Sequence, residues 1–295
     1  MTGLLFAAIT VLAWGTWLAP SQHVPMKGQQ TRTFYVTLAV LGLTCGVAVF
    51  KGFAGLTART FLLPLLGGVI WALSGLCAFV GTSRLGMAKA FGIWAPLNII
   101  VSILWGIILF GEFLRTGALN LVLAILSLVA IIGGILLIIF AGSEGEGDQK
   151  VGAAMAGFLG AFGAGIGWAS YFIPIRISGI SMWVATLPLA VGMFVGATAL
   201  AAISRSSLRL AQPSHYARVL ATGLLWTIGN YGALLMMERI GTGKGFTIAQ
   251  LCVVVNTLLG VFWEHKPRPG TKAAHFTLTG VVVATIGGAV LGNLK

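Results

Sequence analysis

Hydrophobic residues along this chain gather into ten stretches separated by short polar segments. They lie at about 3–19, 34–50, 61–80, 90–111, 118–141, 153–173, 181–203, 216–236, 246–263 and 274–292. A helix of roughly 20 apolar residues crosses the ~30 Å hydrocarbon layer of a bilayer. It also satisfies its own backbone hydrogen bonds there, which irregular chain cannot do. The pattern predicts an all-α membrane protein with ten transmembrane helices.

The second half of the pattern repeats the first in register. Ala13-Trp14-Gly15-Thr16-Trp17-Leu18-Ala19-Pro20 is answered 154 positions later by Gly167-Trp168-Ala169-Ser170-Tyr171-Phe172-Ile173-Pro174. Gly68, Trp71, Ala78, Arg84, Gly86, Lys89, Phe91 and Ile93 recur 155 positions later as Gly223, Trp226, Ala233, Arg239, Gly241, Lys244, Phe246 and Ile248. Five crossings per copy is an odd number, so the second copy enters the bilayer upside down. The expectation is two inverted five-helix repeats, residues 1–141 and 153–295, joined by an acidic glycine-rich linker at 142–152 into one membrane domain. In secondary transporters built this way the substrate site lies near the midplane, where the halves meet.

Composition narrows the class. With 58% hydrophobic and 8% charged residues over 295 positions, a water-soluble domain is excluded, because its surface would have too little to hydrate it. The 42 glycines suit helices that pack closely in lipid, and Gly163 with Gly167 and Gly288 with Gly292 are GxxxG pairs of that kind. The first stretch has no basic region before it and no small-residue cleavage site after it, so it reads as the first membrane helix and not as a signal peptide. The destination is the cell (inner) membrane, as a multi-pass protein.

The net charge of +12 changes less than its size suggests. Basic residues are scattered one to three per loop and form no stripe, so contact with anionic membrane lipid accounts for them and no nucleic-acid partner is expected. They are more numerous in the loops on the side opposite the termini, which by the positive-inside rule puts both termini outside. Cys45, Cys77 and Cys252 fall inside apolar runs without metal-ligand spacing, and no metal or cofactor is expected.

Catalysis would want a carboxylate pair, a histidine cluster or an activated nucleophile within reach of a substrate. Three of the six acidic residues lie in the linker, Glu112, Glu238 and Glu264 close helices, and the four histidines sit in loops or at helix ends. An enzyme is not expected. The apolar stretches do hold aromatics and amides at helical spacing. Trp14 and Trp17 are answered by Trp168 and Tyr171, Trp71 by Trp226 with Asn230 and Tyr231 beyond it, and Trp94 and Asn98 stand four apart, as do Thr247, Gln250, Val254 and Thr257 by steps of three or four. Aromatic planes against C–H faces, with amides that both donate and accept, are what an uncharged sugar asks for. The competing reading is that Trp and Tyr anchor helices at the interface and amides join helices together. Lys89 and Lys244, each three residues after a glycine, are either snorkelling lysines or gates. Glu112 and Glu264 are candidates for charge pairing or proton coupling.

These residues carry a family likeness. Gly223-Leu224-Leu225-Trp226-Thr227-Ile228-Gly229-Asn230, followed by Ile240-Gly241-Thr242-Gly243-Lys244-Gly245-Phe246-Thr247-Ile248-Ala249-Gln250, resembles the glucose/ribose porter family of the ten-helix drug/metabolite transporter superfamily. Leu85-Gly86-Met87-Ala88-Lys89-Ala90 running to Phe110-Gly111-Glu112 resembles the same family's fourth-helix segment. The chain departs from it at Phe262-Trp263-Glu264, where a glycine would precede the acidic residue. The resemblance implies uptake of a small neutral sugar, with a coupling proton and a homodimer both left open. The expected site is Trp14, Trp17, Trp71, Trp94, Asn98, Trp168, Tyr171, Trp226, Asn230, Tyr231 and Gln250, with Lys89, Lys244, Glu112 and Glu264 in gating or charge coupling. Rivals on the same fold are a drug or metabolite exporter and an organic-anion transporter using the lysines. A non-transporting scaffold or sensor is the rival from another class.

Overall fold

The computed structural model describes residues 2–110, 117–141, 151–240 and 248–294, and among these the chain is helical without strands. In order the helices are α1 (Thr2–Thr16), α2 (Ala19–Gln22), α3 (Gln29–Lys51), α4 (Ala58–Leu85), α5 (Met87–Phe110) and α6 (Ala118–Phe140). They continue with α7 (Val151–Ser170), α8 (Phe172–Ser178), α9 (Met182–Ile203), α10 (Pro213–Ile240), α11 (Cys252–Phe262) and α12 (Lys272–Asn293). Among the described residues, seven helical stretches are long and apolar enough to cross a membrane. Two shorter apolar pieces, Met87–Ser102 and Cys252–Phe262, accompany them. Glu112, Lys244, Thr247 and linker positions 142–150 lie outside the described residues.

Two stretches expected to run unbroken do not. The helix expected at 3–19 breaks between Thr16 and Ala19, and the one expected at 153–173 breaks at Tyr171 and resumes to Ser178. Proline contributes to both, although Pro64, Pro96 and Pro188 lie inside unbroken helices. It has no N–H for the carbonyl four residues back, and its ring crowds that carbonyl. Four residues before Pro20 is Thr16, and four before Pro174 is Ser170, the last residues of α1 and α7. The hydroxyls of Thr16 and Ser170 turn back instead, donating to the carbonyls of Leu12 (2.7 Å) and Ile166 (2.8 Å).

Helices pack in pairs that map onto one another when the halves are exchanged. α1 packs on α10 and α7 on α4; α3 on α10 and α9 on α4; α1 on α11 and α7 on α5; α2 on α10 and α8 on α4. α3 with α9, α5 with α11 and α6 with α12 are pairings of counterparts. Close approach uses glycine where the sequence suggested it. A Cβ at Gly163 would meet Cys77 and one at Gly167 would overlap Ser74, so this GxxxG pair seats α7 on α4. On its other face α6 turns Leu119, Val122, Ile125, Leu126 and Val129 outward, each more than half exposed. A patch that apolar is stable against lipid and not against water.

Candidate functional site

Both broken helices end on one cavity. Its wall takes Trp14 from α1, Trp17 from the first break, Trp71 from α4, Phe91, Trp94 and Asn98 from α5, and Trp168 from α7. Tyr171 comes from the second break, Phe172 from α8, Trp226 from α10, Gln250 from the segment before α11, and Cys252 from α11. None of these side chains carries a charge. The cavity measures about 60 Å³, room for a few waters.

Tryptophans form the frame. Trp168 lies with ring centroids 5.9 Å from Trp17, 5.8 Å from Trp71 and 5.3 Å from Trp94, the last edge-on at 85°. Trp71 meets Trp226 at 4.8 Å. Such offset and edge-to-face pairs are the arrangements that ring quadrupoles favour. Trp14 is pinned by its indole N–H, which donates to the carbonyl of Trp226 at 3.1 Å. Gly229, one turn along α10, makes room for that indole, since any Cβ there would overlap it. Asn98 is 9% exposed, and its Oδ1 accepts from the Ser102 hydroxyl at 3.4 Å.

Nine of the eleven residues expected from sequence therefore line one cavity. Asn230 and Tyr231 do not. Asn230 is buried at 3% exposure, a turn beyond Trp226 on α10, with Nδ2 unpartnered. Tyr231 faces elsewhere, stacked on Trp183 at 5.3 Å. A Cβ at Gly92 would strike Ile138, and one at Gly75 would crowd Trp71 of its own helix. Phe91, Phe172 and Cys252 are wall residues that the site expectation omitted. Phe91 carried the one usable signal, its recurrence as Phe246.

Beyond Phe79, which packs on Trp17 at 5.7 Å, lies a buried polar network. The Glu264 carboxylate, 8% exposed, accepts from the Gln22 amide at 2.8 Å and from the backbone N–H of Met87 at 2.7 Å. Met87 is the first residue of α5, so the carboxylate also meets the positive end of that helix. Gly86 turns the chain into α5 at φ +78°, a conformation that favours glycine. Gln22 also donates to the carbonyl of Thr82 at 3.0 Å. Arg32 is the fourth residue of α3 and only 2% exposed. It donates to the carbonyl of Ser21 at 2.9 Å and lies over the Phe79 ring at 5.3 Å. Lys89 is buried at 7% exposure in the first turn of α5 and is not among the residues of the cavity wall.

Long apolar helices around an uncharged cavity define an integral multi-pass membrane protein. The chain belongs to the sugar transport protein family, which it matches over residues 5–294. It is 28% identical over 289 residues to a Bacillus anthracis protein whose name assigns it to sugar uptake, covering 98% of each chain. It is 27% identical over 266 residues to a Bacillus cereus protein whose name, GlcU, assigns it to glucose uptake, covering 86% of this chain and 89% of that one. A solved crystal structure shares the fold at a TM-score of 0.64 and 19% identity, covering 99% of this chain and 96% of that one. The family is one of transport proteins and not of enzymes.

Proposed function

We propose that this protein carries a small neutral sugar or polyol across the membrane by alternating access, with the tryptophan cavity as its binding site. One observation carries the reading. Aromatic rings and amides from both halves of the chain converge on a single cavity whose wall has no charged side chain. Stacking surfaces with a few amides bind a polyhydroxylated ring, whereas a phosphorylated sugar or a cationic drug would be buried there without a counter-charge. The names of the relatives point to the same substrate class.

Alternating access fits the duplicated packing. Each half contributes a helix broken at the cavity, at Trp17 and at Tyr171, 154 positions apart. Broken helices at the seam between repeats are a recurring feature of transporters with inverted halves. Exchange of the halves maps the main helix pairings onto one another, which supports the inverted five-helix arrangement. The Glu264–Gln22–Met87 network would then be the closed end, and transport requires it to open.

Ligand titration of the purified protein tests this, read by tryptophan emission and thermal midpoint. Glucose and sorbitol are expected to give saturable changes, and glucose 6-phosphate and a quaternary ammonium drug none. Stabilisation by the phosphate or the cation alone, or by none of the four, would overturn the reading.

A further inference from the structure

The two halves place equivalent tryptophans at the cavity and treat their N–H groups differently. Trp14 and Trp168 stand 154 positions apart in the repeat. Trp14 spends its N–H on the carbonyl of Trp226 and rests on Gly229. Exchange of halves at the 155-residue offset maps Trp226 onto Trp71 and Gly229 onto Ser74. At that position the second seat is filled. Ser74 has a side chain where Gly229 has none, and its hydroxyl donates to the carbonyl of Ile70 at 2.7 Å. The indole of Trp168 lies instead among Trp17, Trp71 and Trp94, and its Nε1 is buried without a partner. Trp168 is the one cavity-wall residue among the described residues whose buried side-chain polar atom lacks a hydrogen bond.

A buried donor left unpaired costs about 1–3 kcal/mol, and such a group calls for a functional account. We infer that the Trp168 N–H is the specificity-determining donor of this site. It is kept unpaired by Ser74 and satisfied by a hydroxyl oxygen of the substrate when the surrounding rings part. Trp14, whose N–H is already engaged, serves as a fixed wall. The inference rests on the sugar reading above and adds to it which group reads the substrate. It also explains why an acceptor oxygen is selected: a site built to hydrogen-bond a substrate group rejects the analogue lacking it, because its own donor is then buried unpaired.

The test measures binding of glucose and its single deoxy analogues to wild type and Trp168→Phe, which keeps an aromatic ring and removes the donor. Wild type is expected to bind one deoxy analogue about tenfold more weakly than glucose. Trp168→Phe is expected to bind that analogue and glucose within about twofold of each other while still discriminating at other positions. Discrimination in Trp168→Phe equal to that of wild type overturns the inference and leaves the sugar reading standing. Failure of wild type to bind any sugar takes down both. Should Trp168→Phe not fold, Ser74→Gly, which opens the seat that Trp14 enjoys in the other half, is expected to abolish the same discrimination. If Ser74→Gly discriminates as wild type does, the inference falls.

Discussion

The carboxylate of Glu264 accepts a hydrogen bond from the backbone N–H of Met87 at 2.7 Å, across 177 positions of sequence. Its other oxygen holds the Gln22 amide. Three segments distant in the chain are tied at one buried point, at the start of α5 and just past the end of α11.

Removing that point leaves a donor stranded. Glu264→Ala strands the Met87 N–H, at about 1–3 kcal/mol, and leaves the Gln22 amide only the Thr82 carbonyl. Glu264→Gln keeps one acceptor oxygen but loses the charge that strengthens both bonds. Thermal midpoints in detergent are expected to fall in the order wild type, Glu264→Gln, Glu264→Ala. An alanine variant as stable as wild type would contradict the role given to this carboxylate.

Gly229 is a second sensitive point. Alanine there forces the Trp14 indole off its seat and breaks its bond to the Trp226 carbonyl, and overpacking of this kind costs about 1–3 kcal/mol. Gly229→Ala is expected to lower both the thermal midpoint and sugar affinity. Gly42→Ala is the control, since it lies inside α3 with nothing within 4 Å of the added methyl. It should leave both unchanged.

Position on the wall separates the amides. Asn98→Ala and Gln250→Ala are each expected to weaken sugar binding about tenfold, the loss of one or two hydrogen bonds. Asn230→Ala, off the wall, is expected to stay within about twofold of wild type in affinity. Equal losses at Asn98 and Asn230 would mean that the cavity wall does not mark the site.

The contrast between Asn98 and Asn230 also marks how far sequence reached. Hydropathy announced the seven long apolar helices among the described residues, because lipid imposes a run of apolar residues regardless of tertiary partners. Aromatics at Trp14, Trp17, Trp168 and Tyr171 stood out as repeated residues in otherwise aliphatic runs, and they meet at the cavity. Asn230 and Tyr231 lie off the wall for reasons of helix geometry. Four residues past Trp226 is about 6 Å further along α10, and five residues past it is roughly 140° round the helix. The breaks at Trp17 and Tyr171 were available from Pro20 and Pro174 and the carbonyls they deprive. The buried polar network was not, since Gln22, Arg32 and Glu264 share no local pattern and meet only through folding.

Flux through reconstituted liposomes tests the central claim most directly. Wild-type vesicles are expected to take up radiolabelled glucose saturably and to exchange it faster when unlabelled glucose is loaded inside, the signature of a carrier that alternates. An Asn98→Ala, Gln250→Ala double variant, inserted to the same level, is expected to lose most of that flux. Uptake no greater than that of empty liposomes, or a double variant as fast as wild type, would contradict transport of sugar through this cavity.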